Sequence, residues 1–210
     1  MSTRLFLLSP ARLDGLRAKQ LISVRAKFAA ALQYRTEAGV EVADAFAFMS
    51  ALYFRGKIAY ARRFAVPSPL IGGNGIFVIT SGYGLVPPDW RITEERMKRM
   101  RRIDIDADTR TYTKPLREHA QLIARALDQQ GDDGAEVVLL GSVATGKYVD
   151  VLLPILGNRL RFPSAFAGLG DMARGGLMLR AARSGSELEY VTLDANRKRL
   201  PGASGKMPAL

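Results

Sequence analysis

Arg4-Leu5-Phe6-Leu7-Leu8 runs directly into Ser9-Pro10-Ala11-Arg12-Leu13-Asp14-Gly15, and the same pattern occurs twice more along the chain. Ile76–Ile79 enters Thr80-Ser81-Gly82-Tyr83-Gly84-Leu85-Val86-Pro87-Pro88-Asp89, and Glu136–Leu140 enters Gly141-Ser142-Val143-Ala144-Thr145-Gly146-Lys147-Tyr148. Short apolar runs bounded by small and hydroxylic residues read as buried strands of a parallel sheet. If these strands are neighbours, their loops open at one edge of the sheet. Open α/β sheets bind ligands at that edge, because backbone N–H groups and helix N-termini converge there. The expected fold is therefore α/β, a single domain over residues 1–193 with a mostly parallel mixed sheet and helices on both faces.

Working outward, helical spacing is expected over Gly15–Lys27, with Leu16, Leu21 and Ile22 on its apolar side. A long helix covers Ala43–Phe64, with a break near Arg55-Gly56-Lys57. Thr93 is placed to N-cap a helix within Trp90–Arg102, and Glu94 and Glu95 suit its first turn. Pro115–Gln129 reads as a helix with Leu116, Leu122, Ile123 and Leu127 inward, and Tyr148–Leu156 as a short one. Arg159–Phe162 and Glu189–Leu193 are further strands. Residues 194–210 carry Arg197-Lys198-Arg199, two prolines and little apolar pattern, and read as a basic, mobile tail.

The 210 residues hold 31 Lys+Arg against 20 Asp+Glu, a formal charge of +11. Such an imbalance favours polyanionic partners, nucleic acid first. There is no cysteine, which excludes disulfides, thiolate chemistry and cysteine-ligated zinc. The apolar stretches fall well short of the roughly 20 residues of a membrane helix. The one before Pro10 is too short for a signal-peptide core. A cytoplasmic protein with no membrane partner is expected. The sequence leaves oligomeric state, cofactor and any carboxylate-bound metal unspecified.

Four clusters carry candidate chemistry. Gly141-x4-Gly146-Lys147 lies between a strand and a helix, as a phosphate-cradling Walker A loop does. Position 148 is Tyr, however, where the hydroxyl that holds Mg²⁺ belongs. An anion-binding turn using Ser142, Thr145 and Lys147, without NTP hydrolysis, is the better reading. Tyr83, between Gly82 and Gly84, can stack on a planar group or simply pack in a tight strand-to-helix turn. Arg55, Lys57, Arg62 and Arg63 read as a basic rim on a helix, with Arg55 and Lys57, beside Gly56, the better site candidates. Asp171 and Arg174 sit among glycines before an apolar run. Asp171 is either the N-cap of that helix or an acid/base, with Arg174 as a clamp for negative charge. His119, the only histidine, reads as an ordinary surface or packing residue.

Phe6-Leu7-Leu8-Ser9-Pro10-Ala11-Arg12 resembles the Ile-Ser-Pro-Ala-Lys opening of the YaaA peroxide-stress family. Leu52-Tyr53-Phe54-Arg55-Gly56-Lys57 and Ile79-Thr80-Ser81-Gly82-Tyr83-Gly84-Leu85-Val86-Pro87-Pro88-Asp89 are similar to that family's Tyr-x-Gly segment and Leu-Ser-Gly-Leu-Tyr-Gly-Leu-x-Arg-Pro-Leu-Asp loop. They look closer still to a shorter bacterial group with a Lys-Tyr-Gly-Leu-x-x-Pro-Asp signature. The resemblance spans residues 5–89; beyond it only the layout is similar. It implies a basic α/β protein whose cleft engages DNA and protects against oxidative damage. DpdC, a relative from deazaguanine DNA-modification systems, extends the implication to chemistry on a modified base. The chain is shorter than the family, and Arg12 replaces its usual Lys.

The expectation is a DNA-directed protein with a cleft for a base or nucleotide, in which modification or repair of that base is one outcome. Ser9, Arg12, Arg55, Lys57, Ser81, Tyr83, Ser142, Thr145 and Arg174 would contact the ligand, with Asp171 and Lys147 as the chemical groups. Arg96, Lys98, Arg99, Arg101 and Arg102 would grip backbone phosphates without reading sequence. The alternatives are a non-catalytic DNA-binding stress protein, and an enzyme acting on a free nucleotide or another anionic metabolite.

Overall fold

The computed structural model describes residues 2–193. The chain opens with β1 (Arg4–Leu8), helices α1 (Leu16–Leu21) and α2 (Ala29–Tyr34), a short strand β2 (Val40–Glu41) and the long helix α3 (Val42–Phe64). Next come β3 (Ile76–Thr80), β4 (Gly84–Val86), β5 (Arg91–Ile92), α4 (Glu94–Arg101) and α5 (Arg110–Gln130). The last elements are β6 (Glu136–Leu140), α6 (Val149–Leu156), β7 (Leu160–Pro163), α7 (Asp171–Ser184) and β8 (Tyr190–Thr192).

Six strands form one sheet in the order β4-β3-β1-β6-β7-β8, and β2 pairs separately with β5. The inner four are parallel, and the two edge strands run antiparallel to them. Phe6 of β1 lies beside Ile76 of β3 and Val138 of β6, so the three loop-bearing strands are immediate neighbours. From Leu5 to Leu8 the central strand is completely buried, because both faces are covered. Phe6, Leu8, Val78, Val138 and Leu140 pack against α1, α2, α3 and α7. Leu5, Leu7, Ile79, Val137 and Leu139 pack against α5 and α6. The α/β architecture read from the strand pattern is the one observed.

Several local expectations differ. The Gly15–Lys27 helix is only α1, followed by a turn and α2, and Leu16 is 74% exposed. In α3 the break falls at Ala51 (φ 45°, ψ −120°), not near Gly56. Gly56 stays helical, and its bare face lets α7 approach. In α5 the buried face is Leu116, Ala120, Ile123 and Leu127, which leaves Leu122 one step out of phase and 59% exposed. That helix also starts at Arg110, ahead of Pro115. The Tyr83 loop turns back into the antiparallel strand β4 rather than into a helix. Its backbone is met by His119, whose Nδ1 accepts from the Leu85 N–H at 3.0 Å. Residues 194–210, read as a basic tail, lie outside the described residues.

Candidate functional site

The ends of β1 and β6 meet where Ser9 N–H donates to the Leu140 carbonyl at 3.2 Å. Gly141 follows, and a Cβ there would stand 3.0 Å from the Ser9 Cβ. A bare glycine thus gives Ser9 its room at the sheet edge. Two clefts open beside it. The larger, about 640 Å³, lies between the Ser9–Arg17 segment, the kinked part of α3, the Ser142–Tyr148 loop and Asp171. The smaller, about 320 Å³, lies between the β1 loop and the end of α4, reaching Arg101 and Ile105. Pro10, Arg12, Lys147 and Tyr148 line both.

At the inner wall of the larger cleft stands Ser9, and behind it Lys57. Its Nζ donates to the Ser9 carbonyl oxygen at 2.9 Å and to Ser9 Oγ at 2.7 Å. The expectation of a basic rim is corrected here: Lys57 is 1% exposed, one of the most deeply buried side chains described. Its Nζ also sits 3.8 Å from the ring centroid of Tyr53, one helical turn earlier on α3, a cation–π contact in a desolvated setting. Burial pulls Lys57 down from the ordinary lysine range to about 7, against the opposing influence of Asp171; Arg174 and Lys147 push it the same way as burial.

Tyr53 lines the same cleft, and its buried hydroxyl has no hydrogen-bond partner among the described residues. Burial raises its pKa, while Arg174 and Ser9 pull the other way from nearby without making a well-formed hydrogen bond to it. Tyr148 is likewise buried beside Ser9 and pushed up by that burial. An orphaned buried hydroxyl on a residue that lines a cleft is the kind of group that asks for a further partner.

The remaining candidates divide. Arg12 is exposed and forms a two-bonded pair with Asp14, at 3.2 and 3.0 Å. Lys147 lies 5.2 Å from the Tyr148 ring centroid and lines both clefts. It follows Gly146, whose φ of +71° is one that L side chains rarely adopt. Ser142 lines the larger cleft and accepts from the Ala144 N–H at 3.3 Å. Asp171 is the first residue of α7, with Gly170 in the N-cap position, so the capping role falls away and its carboxylate borders the cleft. Arg174 donates twice to the Phe166 carbonyl, at 3.2 and 3.0 Å.

Arg174 lines neither cleft, and four more expected ligand contacts stand apart. Ser81 borders the smaller cleft but is buried and donates to the Met100 carbonyl at 2.8 Å, fastening α4 to the sheet edge. Tyr83 packs against Trp90, centroids 5.0 Å apart, and Arg99 lies over its ring at 4.7 Å. It lines neither cleft. Arg55 is exposed on α3 and Thr145 on its loop, also outside both cleft linings.

On α4, Arg96 covers Trp90 at 4.6 Å and donates to the Arg91 carbonyl. Lys98 pairs with Glu94 on the exposed surface, Arg101 lines the smaller cleft, and Arg102 is exposed at the helix end. Of the five expected phosphate contacts, Arg96 and Arg99 thus belong to a stacking scaffold, Lys98 is ion-paired, and Arg101 and Arg102 are exposed.

Tyr53 and Tyr148 are the site residues that sequence reasoning missed. Tyr53 sits four residues before Lys57, on one helix face, which is the spacing that would have exposed it. Among the described residues no group of three or more His, Asp or Glu side chains could hold a metal ion. No helix among them is long and apolar enough to cross a membrane. No family model, curated protein or solved structure matches the chain.

Proposed function

We propose that the larger cleft binds one nucleotide unit of a nucleic acid, with the phosphate toward Lys147 and Arg12 and the polar floor formed by Tyr53 and Ser9. The observation that carries this reading is that Tyr53, with its orphaned hydroxyl and with buried Lys57 against its ring, lines one cleft together with Arg12, Arg17 and Lys147. Concave sites with few convergent polar groups and perturbed ionisable residues are where ligands bind. Exposed cations at the rim suit phosphate, and Arg101 and Arg102 extend them toward neighbouring phosphates of a strand. The resemblance to DNA-associated proteins at residues 5–89 and the charge of +11 support the same reading.

A free nucleotide or similar anionic metabolite is the second reading. It is favoured by α4, where Arg96 and Arg99 are already occupied by Trp90 and Tyr83. Fluorescence anisotropy with single-stranded, duplex and bubbled DNA across a salt series separates the two. Binding that prefers unpaired DNA, weakens with salt and is lost in Lys147→Ala supports the nucleic-acid reading. Thermal stabilisation by a mononucleotide with no DNA affinity supports the second.

A further inference from the structure

The geometry points to Ser9 as a nucleophile and Lys57 as its general base, acting on a phosphate ester held in the larger cleft. This deepens the reading above and rests on it for the ligand. A serine hydroxyl attacks well only when a base takes its proton, and the diagnostic arrangement is a nucleophile and base in hydrogen-bond reach, with the base itself held in place. Here Lys57 Nζ is 2.7 Å from Ser9 Oγ. In the structure Nζ donates to both Ser9 oxygens; as a neutral amine it keeps the 2.9 Å bond to the carbonyl oxygen through one N–H and turns its lone pair to the Oγ hydrogen. Ser9 in turn lines the cleft.

The groups facing Lys57 come from every element around it. Tyr53 and Phe54 lie on its own helix, Ser9 on the β1 edge, Asp171 and Arg174 on α7, and Lys147 on the loop after β6. Of the cations among them, Lys147 lines the cleft, where negative charge would build on the phosphate, while Arg174 is held by the Phe166 carbonyl. With burial as the main cause, a lysine pulled to about 7 is half neutral near physiological pH, as a working base requires.

Ser9 Oγ attacks phosphorus while its proton passes to Lys57 Nζ. The Oγ–P bond forms in line with the P–O bond that breaks, so the departing alkoxide lies across the phosphorus from buried Lys57 and takes its proton from water in the open cleft. Water then attacks the phosphoserine ester from that same side and gives its proton to solvent. The Ser9 oxygen departs and takes back the proton held by the Lys57 ammonium, so the net reaction is hydrolysis.

The test is labelling of the full chain with a fluorophosphonate, read by intact mass and peptide mapping from pH 5 to 9, alongside nucleotide binding. The expected result is one adduct on the Ser9 peptide, absent in Ser9→Ala, with a labelling rate that inflects near pH 7. Lys57→Met should slow labelling at least 100-fold; if that variant does not fold, the wild-type pH profile decides the base. Absence of the Ser9 adduct in protein that still binds nucleotide would overturn the nucleophile. A labelling rate without an inflection near 7 would overturn Lys57 as its base. An adduct on protein that binds no nucleotide sinks the nucleotide reading and leaves the nucleophile standing.

Discussion

Gly56 of α3 and Gly175 of α7 meet so closely that a Cβ on Gly56 would stand 2.6 Å from the Gly175 carbonyl oxygen. The reverse substitution is as tight, with a Cβ on Gly175 standing 2.7 Å from the Leu52 carbonyl oxygen. This bare contact holds α7, and with it Asp171 and Arg174, against the helix that carries Tyr53 and Lys57. Glycine to alanine in a helix ordinarily stabilises by about 1 kcal/mol. Gly56→Ala should do the reverse, lowering stability in urea denaturation by about 2–3 kcal/mol, because the obstruction is backbone and overpacking is not relieved by a rotamer change. A change under about 0.5 kcal/mol would show that α7 slides without resistance.

Ala51 gives the opposite sign. Its φ of 45° with ψ of −120° is a conformation that L side chains rarely adopt, and it interrupts α3 two residues before Tyr53. Such backbone strain is worth about 1–3 kcal/mol and collects at functional sites. Ala51→Gly should therefore raise the midpoint of thermal unfolding, whereas the same change in a regular helix lowers it. A lower midpoint would mean that Ala51 is helical in solution.

Lys57 makes stability depend on pH in a definite direction. Burial sets its folded pKa at about 7, below the ordinary lysine value, so between the two the unfolded chain binds more protons. Stability must then rise with pH across that window, by at most about 1.4 kcal/mol per pH unit from this one group. It is lost as pH falls through 7. Urea denaturation at pH 6, 7, 8 and 9 should show the rise in wild type. In Lys57→Met, which carries no titrating group there, the slope should shrink, and equal slopes would show that Lys57 keeps an ordinary pKa when folded.

The parts of this architecture legible in sequence are those whose signal is local. Leu5 to Leu8 and Val137 to Leu140 are continuous apolar runs because both faces of the sheet are covered. The Thr93 cap is equally local: its Oγ1 accepts from the Arg96 N–H. The Ser9–Lys57 bond joins residues 48 apart, and nothing local says that a lysine between Gly56 and Ile58 points inward. Its charge argued for a rim, and only the packing of α7 on Gly56 shows why that face is enclosed. Of the two readings open for Tyr83, packing is the one observed, and its partners, Trp90 and Arg99, arrive from beyond a hairpin that no local signal in the loop marks.

The stack formed by Arg96, Trp90, Tyr83 and Arg99 separates structural from free charge on α4. Arg99 covers a partly buried ring, so Arg99→Ala removes packing as well as charge and should lower the unfolding midpoint by a few degrees. Lys98 and Arg102 are exposed, and the Lys98–Glu94 pair is a surface ion pair of little worth. Replacing both with alanine should leave the midpoint within error. If they contact DNA phosphates, the double variant should reduce the slope of log affinity against log salt by about 2, close to one unit per lost contact. An unchanged slope in a stable double variant would place the nucleic acid on another face, leaving Arg12, Arg101 and Lys147 as the cations to remove next.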